Sequence, residues 1–195
     1  MHESHPSLTP RLGISACLLG EPVRFNGGHK RSALCEELAR HVEFVSFCPE
    51  QAIGLGTPRP AIRLEGTPEA AEARSRDGLA VGGALAEYAR RVAQRADTLD
   101  GFIFMQRSPS CGLQRVKVYP EGGGAPRAEG RGRFAAALCE ALPELPVEEE
   151  GRLHDPVLRE NFLTRVYAHA HWQALRQRGL SHSAIVAFHS RYKYQ

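Results

Sequence analysis

Leu12-Gly13-Ile14-Ser15-Ala16-Cys17 is a short, uncharged run that ends on a thiol. Two further stretches read the same way, Val42-Glu43-Phe44-Val45-Ser46-Phe47-Cys48 and Phe102-Ile103-Phe104-Met105. Runs this short and nearly free of charge are expected of strands covered on both faces in a parallel sheet. Helical patterns lie between and after them, at Ser32 to Arg40, Val81 to Ala96 and Gly132 to Leu142. The second places Leu85, Tyr88, Ala89 and Val92 on one face. Strands alternating with helices predict an open, doubly wound (Rossmann-like), mostly parallel α/β sheet with a short helical C-terminal extension. Ligands of such sheets bind beyond the carboxyl ends of the strands, where the strand order reverses. Cys17 and Cys48 end the first two runs, and Cys111 follows the third after Arg107-Ser108-Pro109-Ser110. The fold therefore delivers three distant thiols to one edge.

The rest of the chain is punctuated by glycine and proline. Asn26-Gly27-Gly28 reads as a turn, Gly54-Leu55-Gly56-Thr57-Pro58-Arg59-Pro60 as an irregular loop, and Glu121 to Pro126 as a surface connection. Three units are expected: a disordered lead-in over 1–10, an α/β domain over 11–150, and a helical segment over 151–195. The helical stretch from Asp155 to Tyr194 breaks at Arg178-Gly179-Leu180-Ser181, where Ser181 is placed to cap a second helix.

Charge divides along the same line. Up to Gly151, 18 Lys and Arg face 20 Asp and Glu; from Arg152 onward the count is 7 against 2, with five of the nine histidines. A basic tail on a near-neutral body suggests contact with a polyanion. The N-terminus lacks the apolar core of a secretory signal, and no apolar run is long enough to cross a bilayer. A cytoplasmic location with no membrane partner is expected. In that reducing setting the five cysteines are expected as thiols rather than disulfides.

Cys35 and Cys139 lie in helical patterns beside leucines and read as core residues. Cys17, Cys48 and Cys111 stand instead beside helix-breaking residues. Three thiols without an evident fourth ligand suit an iron–sulfur cluster that leaves one iron open. His29, in Gly27-Gly28-His29-Lys30, offers the rival: a Cys3His zinc site in an RNA-binding protein without catalysis. An iron–sulfur dehydratase acting on a hydroxy acid is a third reading.

Four motifs narrow the choice: Ser15-Ala16-Cys17-Leu18-Leu19-Gly20, Val23-Arg24-Phe25-Asn26-Gly27-Gly28-His29-Lys30, Cys48-Pro49-Glu50 and Ser108-Pro109-Ser110-Cys111-Gly112. In this order, over roughly Arg11 to Glu150, they resemble the bacterial thiouracil desulfidase family. Gly54 to Leu64 and Phe188-His189-Ser190-Arg191-Tyr192-Lys193-Tyr194 are more similar to its longer members, the two-domain tRNA 4-thiouridine desulfidases. There a helical tRNA-binding domain follows the first, and this chain is expected to carry only its start.

The resemblance implies a [4Fe–4S] cluster held by Cys17, Cys48 and Cys111, whose open iron takes the thiocarbonyl sulfur of a pyrimidine. It also matches Glu50 and Ser108 to positions implicated in catalysis. The expected reaction replaces C=S by C=O without redox change, Glu50 activating the water and Ser108 bonding the base edge. Arg59, Arg63 and Ser110 are expected to bind substrate, the arginines through phosphate. Tyr167 and Trp172 in the basic tail suit stacking on RNA bases, although aromatic residues at helical spacing more often pack within the protein, and the target base is expected to be unstacked or flipped out to reach the cluster.

Overall fold

The computed structural model describes residues 8–95 and 98–193. The expected lead-in lies outside these apart from its last three residues, and so do Ala96 and Tyr194, the expected ends of two helical stretches. In chain order the elements are β1 (Arg11–Ser15), α1 (Ala33–Leu38), β2 (Glu43–Phe47), α2 (Pro49–Ala52), β3 (Ile62–Glu65), β4 (Glu72–Ser75) and α3 (Gly82–Ala93). There follow β5 (Gly101–Phe104), β6 (Val116–Tyr119), β7 (Arg127–Gly130), α4 (Arg133–Ala141), β8 (Val147–Glu149), α5 (Pro156–Arg178) and α6 (His182–Tyr192).

The three apolar runs become β1, β2 and β5. With β8 they form a sheet in the order β2-β1-β5-β8, every pair parallel. From β1 the chain first crosses to β2 on one side and later returns to β5 on the other. The strand order therefore reverses between β1 and β5, and the carboxyl ends of these strands flank the crevice.

Both faces of the sheet are covered at its centre, which is why the central strands β1 and β5 are mostly apolar. Phe102 and Phe104, stacked at 4.2 Å, pack with Phe134 of α4 and Leu85 and Ala89 of α3. Leu12, Ile14 and Ile103 pack on the other face with Cys35 and Leu38 of α1 and Phe162 and Val166 of α5. Each buried aromatic or branched side chain contributes about 2–3 kcal/mol of transfer energy. Gly13 is required at the centre, because a Cβ there would lie 2.3 Å from the Phe102 ring.

The sequence reading did not anticipate a second sheet, ordered β4-β3-β6-β7. It joins two inserted hairpins, β3–β4 and β6–β7, through a parallel β3–β6 pair. The surface connection from Glu121 to Pro126 is the turn of the second hairpin.

The tail divides into α5 and α6 at Gly179, with the Ser181 side chain accepting from Ala184 N–H as a cap. Phe162, Val166 and Ala170 of α5 are buried, so α5 shares the core of the parallel sheet. Among its described residues α6 buries none, and it meets α5 through an aromatic cluster. Trp172 lies 5.2 Å from Phe188, and the Tyr167 hydroxyl donates to the His41 carbonyl. Trp172 therefore packs within the protein, as the helical spacing of aromatic residues suggests, and Tyr167 is tethered through its hydroxyl.

Candidate active site

Each cysteine of interest reaches the carboxyl edge by a different local device. After β1 the chain turns into a short 3-10 helix, Ala16–Leu19, which carries Cys17 and closes on Gly20 in the left-handed conformation (φ 91°). Cys48 is the residue before α2, and Pro49 at the first helical position starts that turn. Cys111 lies in the loop after β5, where Gly112 N–H donates to the Ser108 carbonyl at 2.8 Å. That loop is docked on the start of α4. Arg133 N–H donates to the Pro109 carbonyl, and the N–H groups of Phe134 and Ala135 both donate to that of Ser110. A Cβ at Gly132 would lie 2.5 Å from the Ser110 backbone, so only glycine permits this approach.

All three thiols line one cavity of about 460 Å³ at the strand-order reversal. Glu50, Ser108, Arg24, Lys30, Arg59 and Arg107 line it too. Cys17 and Cys111 are buried and Cys48 half-buried, and none is in a disulfide. Burial pushes the Cys17 thiol up to about 11, while nearby Arg24 pulls the other way. Burial raises Cys111 as well, against a lowering hydrogen bond from Ser15. Cys48 is raised by the same desolvation. Free thiols in this cavity therefore keep their protons at neutral pH.

Glu50 is held at both oxygens. The Ser110 hydroxyl donates to Oε1 at 2.7 Å, and Arg59 Nε donates to Oε2 at 2.7 Å. Arg59 Nη2 also lies 2.7 Å from Oε2 and donates to the Val23 carbonyl, while Nη1 serves the Gly56 carbonyl and Thr57 Oγ1. A guanidinium has five N–H donors, and these five contacts engage them all.

This arrangement corrects two substrate-binding expectations, those for Arg59 and Ser110, and places Arg63 outside this cavity. Arg59, its side chain only 5% exposed, is saturated by protein acceptors and has no donor left for phosphate. Ser110 is fully buried and bonds Glu50, so it positions the carboxylate and meets no ligand. Arg63 does not line this cavity; it lies on β3, where Nε donates to Glu65 at 2.6 Å.

Ser108 does reach the cavity. Its Oγ accepts from the N–H groups of Ser110 (3.2 Å) and Cys111 (3.1 Å). With both lone pairs engaged, its own proton is left to donate to a ligand. His29 is absent from the lining, and its Nδ1 accepts from Arg31 N–H. Among the described residues no three His, Cys, Asp or Glu side chains gather closely enough to hold one metal ion, so the Cys3His zinc reading has no site here.

Two supporting residues escaped the sequence reading. Ser15 Oγ accepts from Met105 N–H at 2.9 Å while serving Cys111, so it links β1, β5 and a thiol. Glu149, a buried carboxylate at the end of β8, accepts from Leu113 N–H at 2.8 Å and so fixes the loop beyond Cys111. Glu149 is the middle of the run Glu148-Glu149-Glu150, which reads as a junction, and nothing local marks either it or Ser15.

A parallel α/β sheet whose carboxyl edge gathers three thiols and a clamped carboxylate defines a Rossmann-like protein with a cysteine-lined ligand site. The family model for 2-thiouracil desulfurase matches residues 12–150, and the chain belongs to that family. It is 33% identical over 107 residues to the uncharacterized protein YbbK of Bacillus subtilis (strain 168), covering 51% of this chain and 71% of that protein. A solved structure of the [4Fe–4S]-dependent thiouracil desulfidase TudS superposes with a TM-score of 0.62 at 28% identity, over 78% of this chain and 99% of that one.

Proposed function

We propose that this protein is a [4Fe–4S]-dependent desulfidase that converts a thiolated pyrimidine, 4-thiouridine in tRNA, to uridine and sulfide. The observation that carries the reading is the convergence of Cys17, Cys48 and Cys111 on one cavity that also holds Glu50 and Ser108. The donor set fits the group: three thiols from separate segments face a space of about 460 Å³, too widely spread for one ion. Arg24, Lys30 and Arg107 in the same lining supply positive charge to offset the thiolates that bound iron requires.

Cys17, Cys48 and Cys111 would hold the cluster, and an iron without a protein ligand supplies a soft Lewis acid that draws charge from sulfur. The protein's own groups supply the rest. Glu50 takes a proton from water as the oxygen adds to the thiocarbonyl carbon, and returns it as the C–S bond breaks. Sulfur leaves as sulfide, so C=S and water give C=O and hydrogen sulfide with no electron gained or lost. The Ser110 and Arg59 donors fix the carboxylate and leave a lone pair on Oε1 to take the proton. Ser108 donates its hydroxyl proton to the base edge and sets its orientation.

The basic segment from Arg152 supports tRNA as the carrier of the base, and we read 151–195 as a nucleic-acid-binding segment whose first helix packs on the catalytic domain. The test is anaerobic reconstitution with iron and sulfide, then incubation with 4-thiouridine and with tRNA that contains it. Loss of the near-ultraviolet thiocarbonyl band with sulfide release is expected. A fully formed cluster that leaves both substrates intact overturns the reading.

A further inference from the structure

We propose that Phe25 is the stacking platform of the cysteine-lined cavity: its ring carries one face of the thiolated pyrimidine and so selects planar, aromatic heterocycles. The inference rests on the desulfidase reading and adds to it a specificity-determining side chain. Phe25 lines the cavity and is 40% exposed, although it is large and apolar. Phe47, Phe102, Phe104, Phe134 and Phe188 each pack on another ring, whereas Phe25 meets none among the described residues. A lone exposed apolar side chain is ordinary on a protein surface. One at the mouth of a ligand cavity, on a fixed backbone, is not.

The backbone is fixed from two sides. Phe25 lies in the turn from Arg24 to Gly28, where Gly27 N–H donates to the Arg24 carbonyl at 2.8 Å and Arg24 N–H to the Gly28 carbonyl at 3.1 Å. The Phe25 carbonyl itself accepts from Arg59 N–H at 2.8 Å. Arg59 is also the residue whose guanidinium holds Glu50 and donates to the Val23 carbonyl. One residue therefore anchors both the backbone beneath the ring and the carboxylate that handles the proton. The ring keeps its place relative to Glu50 without a hydrogen bond of its own. A phenylalanine also has few side-chain torsions, so ordering it against a ligand costs little entropy.

A pyrimidine makes its polar contacts through its edge, which the cluster and Ser108 take in the proposed reaction. Its faces have no hydrogen bonds to make. Water adds to a thiocarbonyl carbon perpendicular to the ring plane. A face laid on Phe25 is thus closed to attack, and the opposite face is presented to the water that Glu50 activates. Stacking on an aromatic side chain tolerates any base, because every base has a π face. The contact therefore selects a flat π system rather than one pattern of substituents. A puckered, saturated ring carries the same C=S without a flat face.

The test uses the cluster-loaded protein with Phe25→Leu, which keeps apolar bulk without a π face, and Phe25→Tyr, which keeps the ring. Equilibrium dialysis compares uridine with 5,6-dihydrouridine, whose ring is puckered; neither carries sulfur, so neither is consumed. The parent is expected to bind uridine about tenfold more tightly than dihydrouridine, the value of one stacked base. Phe25→Leu is expected to bind the two alike, and Phe25→Tyr to keep the preference. In turnover, the ratio of kcat/KM for 4-thiouridine over 5,6-dihydro-4-thiouridine is expected to fall about tenfold in Phe25→Leu and to hold in Phe25→Tyr. Iron content and Tm, which a purely structural role would move, are expected to match the parent in both variants. A uridine preference that survives in Phe25→Leu, or its absence from the parent, overturns the platform. Failure of the parent to release sulfide from 4-thiouridine, free or in tRNA, overturns the desulfidase reading instead, while the dialysis ratios still decide the platform.

Discussion

Arg59 and Glu50 form a buried ion pair, with Arg59 Nε and Nη2 both 2.7 Å from Glu50 Oε2, between side chains 5% and 15% exposed. The remaining guanidinium hydrogens tie the same pair to the Val23 carbonyl, the Gly56 carbonyl and Thr57. One side chain thus joins the Val23–Lys30 loop, the loop after α2, and the carboxylate proposed to handle the proton.

Arg59→Ala is expected to destabilise the protein by about 3–5 kcal/mol, because it leaves a buried carboxylate without its partner. For a chain of this size each kcal/mol shifts Tm by about 2–4 °C, so thermal unfolding reads the loss directly. Arg59→Lys recovers only part of it, since a single ammonium cannot replace a five-donor fork.

Glu50→Gln keeps the shape and an acceptor but removes the base. We expect the reconstituted variant to retain its iron and visible absorption while turnover falls by about 10²–10⁴-fold. Ser110→Ala separates positioning from chemistry. With one oxygen of Glu50 unpaired, at about 1–2 kcal/mol, turnover is expected to fall about 5- to 30-fold with KM little changed.

Replacing Cys17, Cys48 or Cys111 singly by Ala is expected to abolish stable cluster assembly, measured as iron and sulfide per chain after anaerobic reconstitution. Cys35→Ala and Cys139→Ala are expected to assemble it normally. A cluster that survives loss of any one of the three would refute the ligand assignment.

The cluster-free protein is expected to lose stability in alkali. Burial pushes the Cys35 thiol from 9.0 up to about 11. The unfolded thiol ionises first, so its contribution is fully present below pH 9 and disappears as pH rises through about 11. The contribution is about 2–3 kcal/mol. Denaturant unfolding between pH 8 and pH 11 should therefore be less pH-dependent in Cys35→Ala than in the parent.

The parallel sheet was legible because burial on both faces demands largely apolar runs, which the central strands β1 and β5 supply, while the edge strand β2 keeps Phe44, Val45 and Phe47 beside exposed Glu43 and Ser46. The second sheet was not. Its strands are four residues long, and β7 reads Arg-Ala-Glu-Gly, with no apolar run to mark it. Local spacing also revealed which thiols lie beside turns, and the sheet carries Cys17, Cys48 and Cys111 to one cavity. It gave no sign of how Arg59 is used, because a cation on a Pro-flanked loop looks solvent-exposed until its acceptors are known. Ser110 bonds Glu50 across 60 positions of sequence, a distance that no periodicity spans.

The cavity has two kinds of wall. The inner side chains, Glu50, Ser108, Arg59 and the Ser15 that serves Cys111, are each held by internal hydrogen bonds. Around the mouth, the side chains of Arg24, Phe25, Lys30 and Arg107 make no such bonds among the described residues. Exchanging these outer groups leaves no internal acceptor stranded. They are therefore the positions at which a protein engineer can retarget the scaffold to other thiolated heterocycles, provided the positive charge that Arg24, Lys30 and Arg107 bring to the thiolates is kept.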